Sequence, residues 1–300
     1  MHRLRSRSAV FLALLVTFLW STSWILIKWG LEEIPPLAFA GLRYAIATAI
    51  LLPGLWCRRD EVRTLSPADW FRLGALGLIF YALTQGGQFL TLKYVDAIPF
   101  SLILSLTPLL VASASTITLR EAPSRLQWMG LVLTLAGGAL YFGPSNPFAG
   151  AGLGFLFAGM TLLANVAASL LGRSVNRHRT VSPIVVTAIS MGIGAAVLLG
   201  VGFGAQGIPA VTLKGWGIIC WLAVVNTALA FTLWNRTLRE LSATESSVIN
   251  NTMLIQVALL AWIFLGERPG AVEILGLVAV AAGTLLVQLR SARRRQQQSH

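Results

Sequence analysis

Histidine, cysteine and acidic side chains are scarce in this chain: of its 300 residues, 3 are His, 2 are Cys and 11 are Asp or Glu. His2, His178 and His300 fall outside every long apolar run, and no metal-ligand spacing or cofactor motif is present. The acids are Glu32, Glu33, Asp60, Glu61, Asp69, Asp96, Glu121, Glu240, Glu245, Glu267 and Glu273, all in joints or at the ends of apolar runs. An enzyme working inside a membrane needs a buried nucleophile with its base, or metal ligands, and the runs offer neither. A proton relay needs an intramembrane carboxylate or histidine, so coupling to protons is not visible. Cys57 and Cys220 fall near opposite ends of the expected spans, too far apart for a disulfide. Long polar loops are missing as well, which counts against a scaffold or receptor.

Apolar residues are abundant. The chain is 56% hydrophobic and 11% charged, with a mean hydropathy of +0.74. Runs of about 18 or more apolar residues can cross the hydrocarbon core. Only helices and closed barrels satisfy their backbone groups there, and the runs are continuous rather than alternating, so helices are expected. Ten spans are predicted, at 9–29, 37–56, 71–92, 97–118, 126–143, 152–172, 182–203, 215–235, 244–265 and 271–289. Turn residues mark the joints, among them Pro35-Pro36, Ser66-Pro67, Ser182-Pro183 and Pro269-Gly270. The expected class is an all-α integral membrane protein of ten transmembrane helices.

The chain repeats itself. Leu119, Glu121, Pro123 and Gly130 recur 146 positions later as Leu265, Glu267, Pro269 and Gly276. Without a gap, 91–140 and 237–286 share 17 identities in 50 positions, including Ala97/Ala243, Ser101/Ser247 and Gly137/Gly283. An offset of 144 superposes Phe11-Leu12 on Phe155-Leu156 and Thr17 on Thr161, so the first span belongs to the fold and is not a cleaved leader. The domains are then 1–146, 147–290 and a basic tail at 291–300.

The formal charge of +12 is explained by topology, without nucleic acid. With the N-terminus inside, Arg3, Arg5, Arg7, Arg58, Arg59, Arg63, Arg72, Arg120, Arg125, Arg173, Arg177, Arg179, Arg236, Arg239, Arg290, Arg293, Arg294 and Arg295 are cytoplasmic. Only Lys28, Lys93, Lys214 and Arg268 lie outside, and Arg43 falls within a span. Both termini are therefore expected in the cytoplasm. Five spans per repeat is an odd number, so the second copy enters from the opposite side. Inverted repeats of this kind are characteristic of transporters with a midplane path between the halves.

Trp20-Ser-Thr-Ser-Trp24, Arg43 and the paired Glu-x-Pro joints followed by Gly130 and Gly276 resemble the drug/metabolite transporter superfamily, EamA type, over essentially the whole chain. The resemblance implies a ten-helix permease of the bacterial inner membrane. It further implies export of amino acids or other small metabolites through a central cavity by alternating access. An importer, or an exchanger of drugs, sugar phosphates or nucleotide sugars, stays open. The partners are a small-molecule substrate and the lipid bilayer; monomer or homo-oligomer is undecided.

Polar side chains in lipid-spanning helices face the bundle interior or a wet cavity. Ser21 and Trp24 share a face of the first span with Thr17, and Asn165 shares one on the sixth with Thr161 and Ser169. Tyr81, Gln85 and Gln88 share a face of the third, and two carboxamides suit a zwitterionic solute. Arg43 can take a carboxylate with its planar fork, or pin loops. Asn226, Asn250 and Asn251 are polar sites in apolar surroundings. Trp20 and Trp24 offer an aromatic wall for a planar solute or a cation. Pro108 is expected to kink the fourth span. Glu121 and Glu267 are expected in structural roles at helix N-termini, with gating as the alternative.

Overall fold

The computed structural model describes residues 2–118, 125–142, 152–177 and 181–297, and everything regular among them is helical. The order is α1 (His2–Gly30), α2 (Pro36–Trp56), α3 (Arg59–Arg63), α4 (Pro67–Leu76), the π-helical turn π1 (Gly77–Gln85), α5 (Gly86–Tyr94), α6 (Ala97–Leu104), α7 (Thr107–Thr118), α8 (Arg125–Phe142), α9 (Gly152–Arg177), α10 (Pro183–Gln206), α11 (Leu213–Ala223), the second π-turn π2 (Val224–Leu229), α12 (Ala230–Thr237), α13 (Ala243–Asn251), α14 (Met253–Leu265) and α15 (Ala271–Gln297).

Six helical stretches are long and apolar enough to cross a membrane, and four shorter apolar helices accompany them. Phe11, Leu163 and Ile263 are each about two-thirds exposed, an outer surface suited to lipid rather than water. The molecule is a multi-pass membrane protein.

Helix starts follow the sequence closely. Prolines open α2, α4 and α10, where a missing N–H costs nothing. Four starts lie 146 residues apart: Pro67 and Leu213, Ala97 and Ala243, Thr107 and Met253, Arg125 and Ala271.

Two of the predicted spans are broken and two are modified. The third and eighth run through as single helical stretches, Pro67–Tyr94 and Leu213–Thr237, each containing a π-turn. The fourth breaks between Leu104 and Thr107, so Pro108 falls in the first turn of α7 instead of kinking a continuous helix. The ninth breaks at Thr252 without any proline. The final helix continues to Gln297, into the stretch read as a tail, and α3 is an addition.

The first amides of a helix lack intrahelical partners, and here distant joints supply them. Gln206 Oε1, at the end of α10, accepts from the amides of Leu37 (3.0 Å) and Ala38 (3.4 Å) at the start of α2. Glu61, just past α2, accepts in turn from the amide of Ser182 at the start of α10. Helices α8 and α15 lie antiparallel and close. A Cβ on Gly137 would fall 2.6 Å from Gly276 O, and one on Gly276 would fall 2.6 Å from Gly137 O. Small residues permit this approach where burial against lipid gives helices little reason to pair.

Candidate functional site

One side of α1 builds the site. Trp20, Ser23 and Trp24 face a cavity of about 90 Å³ within the bundle. A water needs roughly 10–15 Å³ of such space, so several fit. Arg43 of α2, Thr84 and Gln85 of π1, Gln88 of α5 and Ser101 of α6 form one wall. Thr161, Asn165 and Ser169 of α9, Phe231 and Trp234 of α12, and Ser246, Asn250 and Asn251 of α13 form the other. The cavity extends toward Gly172 and Leu238, where α9 and α12 end.

Of the residues expected at a cavity, Trp20, Trp24, Arg43, Gln85, Gln88, Asn165 and Asn250 line this one, and Ser21, Tyr81 and Asn226 do not. The Ser21 hydroxyl lies 2.8 Å from Gln256 Oε1 and 2.8 Å from the Thr17 carbonyl, tying α1 to α14. Tyr81 is fully buried among the rings of Tyr44 (5.7 Å) and Phe231 (5.1 Å). Asn226 lies behind the wall, its amide donating to the Leu19 carbonyl and to Thr22 Oγ1. Pro108 is not a lining residue, and Glu121 lies outside the described residues.

The aromatic wall is interlocked. Trp20 lies 4.8 Å from Phe231 and 5.1 Å from Trp234 between ring centroids, and Trp24 lies 5.0 Å from Phe100. The amides are held but keep spare capacity. Gln85 Oε1 accepts from the Tyr44 hydroxyl at 2.8 Å, Asn165 Nδ2 donates to Thr107 Oγ1 at 3.3 Å, and Asn250 Oδ1 has no partner among the described residues.

Arg43 is 2% exposed. Its Nε donates to Thr227 Oγ1 at 2.6 Å and its Nη2 to the Asn226 carbonyl at 3.3 Å. The guanidinium carbon lies 5.2 Å from the Tyr44 ring and 5.8 Å from that of Phe89. Among the described residues the ion pairs are Lys28–Asp96, Arg58–Glu61, Arg63–Asp60 and Arg72–Asp69, so no carboxylate meets Arg43.

Two polar features escaped the sequence reading. Thr227 is one hydroxyl in an apolar run, with nothing to single it out. A fully buried network also lies where α9, α10 and α12 meet: Asn176 Nδ2 donates to Asn235 Oδ1 at 3.0 Å, and Asn235 Nδ2 donates to Thr187 Oγ1 at 2.9 Å. Paired asparagines near span ends were the available signal.

Away from the cavity, Glu267 accepts from the amides of Ala97 (3.0 Å) and Ile98 (2.9 Å), capping α6. Burial pushes its carboxyl above the usual range; those two amides pull it down, and nearby Asp96 adds to the rise. The neighbouring Lys28–Asp96 pair, 3.0 Å apart, ties the end of α1 to the same corner.

Residues 7–143 and 152–289 each match the EamA-like transporter family. A transporter of Archaeoglobus fulgidus is 26% identical over 294 residues, spanning 94% of this chain and 98% of its own. An S-adenosylmethionine/S-adenosylhomocysteine transporter of Chlamydia trachomatis is 28% identical over 293 residues, covering 91% and 87%. A crystal structure at 21% identity overlays 96% of this chain and 98% of its own with a TM-score of 0.74, a likeness of fold.

Proposed function

The chain belongs to the EamA-like transporter family, and from that premise we propose that it exports small carboxylate-bearing metabolites, amino acids foremost, across a bacterial inner membrane. Arg43 carries this reading. A buried charge is costly unless compensated, and this one borders the cavity without a carboxylate partner among the described residues. A solute carboxylate would complete it, while Gln85, Gln88, Asn165 and Asn250 offer donors and acceptors to an amino group.

The proposed mechanism is alternating access of two inverted five-helix halves, 1–146 and 147–290, with both termini in the cytoplasm. Several observations support it. The six long and four shorter apolar helices together number ten. Helix starts recur at a spacing of 146. Gln206 and Glu61 cap helices reciprocally, and broken helices line the cavity in both halves.

A second reading keeps the carboxylate and enlarges the rest. The relative that carries S-adenosylmethionine and the Trp20–Trp24 wall favour a solute joining an amino acid to a flat base or a sulfonium, which aromatic faces attract.

Counterflow in proteoliposomes tests both. Loaded with L-phenylalanine, L-threonine or S-adenosylmethionine, the vesicles should accumulate the labelled form of the accepted solute, with or without a proton gradient. Asn165→Ala and Gln85→Ala should impair exchange while leaving membrane insertion intact. Exchange of carboxylate and amide forms at equal rates would remove Arg43 from the argument.

A further inference from the structure

We infer that the π2 turn, Val224–Leu229, is the device that aims Arg43 at the solute, with Thr227 as the positioning residue; the inference rests on the carboxylate reading of the cavity. A π-turn inserts a residue into a helix and shifts the acceptors that its side chains reach. The Thr227 hydroxyl donates to the carbonyl of Leu222, five residues back, at 2.7 Å. Its proton is thereby committed, and the oxygen can only accept from Arg43 Nε, which lies 2.6 Å away. In the same turn the Asn226 carbonyl accepts from two donors of other helices, Arg43 Nη2 at 3.3 Å and Trp20 Nε1 at 3.2 Å.

One turn thus grips two cavity-lining side chains that come from different helices, α1 and α2. The consequence for Arg43 is directional. With Nε held and Nη2 partly used, Nη1 has no hydrogen-bond partner among the described residues. A planar guanidinium pinned along one edge presents the Nη1/Nη2 end to a carboxylate. Thr227 is fully buried and does not line the cavity, so it acts through Arg43 and not on the solute.

The test removes the hydroxyl and keeps the shape. Thr227→Val should raise the KM for the solute exchanged best in the counterflow panel by about tenfold or more, the scale of one hydrogen bond to a charged group. The maximal rate should stay close to wild type, and Thr227→Ser should restore KM. A second readout needs no solute. Phenylglyoxal condenses with guanidinium groups, and peptide mass spectrometry of the purified protein follows Arg43 alone. Thr227→Val should speed Arg43 modification severalfold and Thr227→Ser should not; if the valine variant does not fold, Thr227→Cys carries the comparison with an intermediate value. Wild-type labelling of Arg43 in the valine or cysteine variant overturns the inference. If wild type exchanges none of the solutes, the carboxylate reading falls, and the labelling still decides the role of Thr227.

Discussion

Two junctions of the bundle, each beside a π-turn, are built in opposite ways. Arg43 follows the proline that opens α2 by the same number of residues as Ser190 follows the proline that opens α10, and each is buried beside a π-turn. At the first junction the contact is polar: Arg43 reaches across to Thr227 and Asn226 of π2. At the second it is close packing. A Cβ on Gly194 of α10 would fall 2.7 Å from the Gly77 carbonyl of π1, and the Ser190 hydroxyl has no partner among the described residues. One junction carries a charge and the other a close backbone contact. Among the described residues Arg43 is the one charged side chain that lines the cavity.

Breaking the packed junction should have the largest effect. Gly194→Val forces atoms onto the π1 backbone, which has no flexible tip to give way. The cost should be about 3 kcal/mol, at the upper end for an overpacked contact, read as a lower Tm or lost yield of monodisperse protein in detergent. The polar junction should fail differently. Arg43→Gln should lower kcat/KM for a carboxylate solute by about 100-fold, the scale of charged hydrogen bonds, while stability changes by only about 1 kcal/mol because a buried charge is also removed. Arg43→Lys keeps the charge without the fork and should lose about tenfold. If both Arg43 variants transport normally, the two junctions do not differ in function.

The sequence shows one junction better than the other for physical reasons. Prolines at 36, 67 and 183 announce helix starts because proline fits the first turn and little else there. The spacing of 146 is visible because both copies retain Gly130/Gly276 and Gly137/Gly283, which meet backbone to backbone as Gly137 with Gly276 and Gly130 with Gly283. Pro108 flags the break in the first half. The matching break at Thr252 has no such mark, and its neighbours Asn250 and Asn251 read only as polar sites. Ser21 shows a different limit: periodicity puts it on the right face of α1, but only the packing decides that Gln256 takes its hydroxyl. Thr227 was illegible because a helical hydroxyl normally bonds a carbonyl of its own preceding turn, and its second partner comes from a distant helix.

The caps that close these helices allow a smaller test. Glu267→Gln keeps an acceptor for α6 and removes a charge that burial disfavours, so near neutral pH it should leave stability unchanged or raise it, by less than about 1 kcal/mol. Its pH dependence has a definite sign. Burial holds the folded carboxyl above its ordinary value. Such a group contributes stability that is fully present below the unfolded value, roughly 4.3, and lost as pH rises through the folded one. The Tm of wild type should therefore fall across that window relative to the Gln variant; a rise would mean that the amides outweigh burial, and a constant difference that the two balance.

The smallest expected effect is the sharpest control on the comparison. Ser190→Ala removes a buried hydroxyl that has no partner, so no hydrogen bond is lost and a desolvation cost is relieved. Stability should change by less than about 0.5 kcal/mol, in the stabilising direction if at all, and exchange should match wild type. This variant and Arg43→Gln then form a pair at equal distances from the prolines that open α10 and α2, one silent and one severe. If Ser190→Ala lowers exchange as Arg43→Gln does, the second junction also carries a polar function and the asymmetry argued from the single guanidinium fails. If only Arg43→Gln does so, the polar function belongs to the first junction, and the second serves by packing alone, with Gly194 against the π1 backbone.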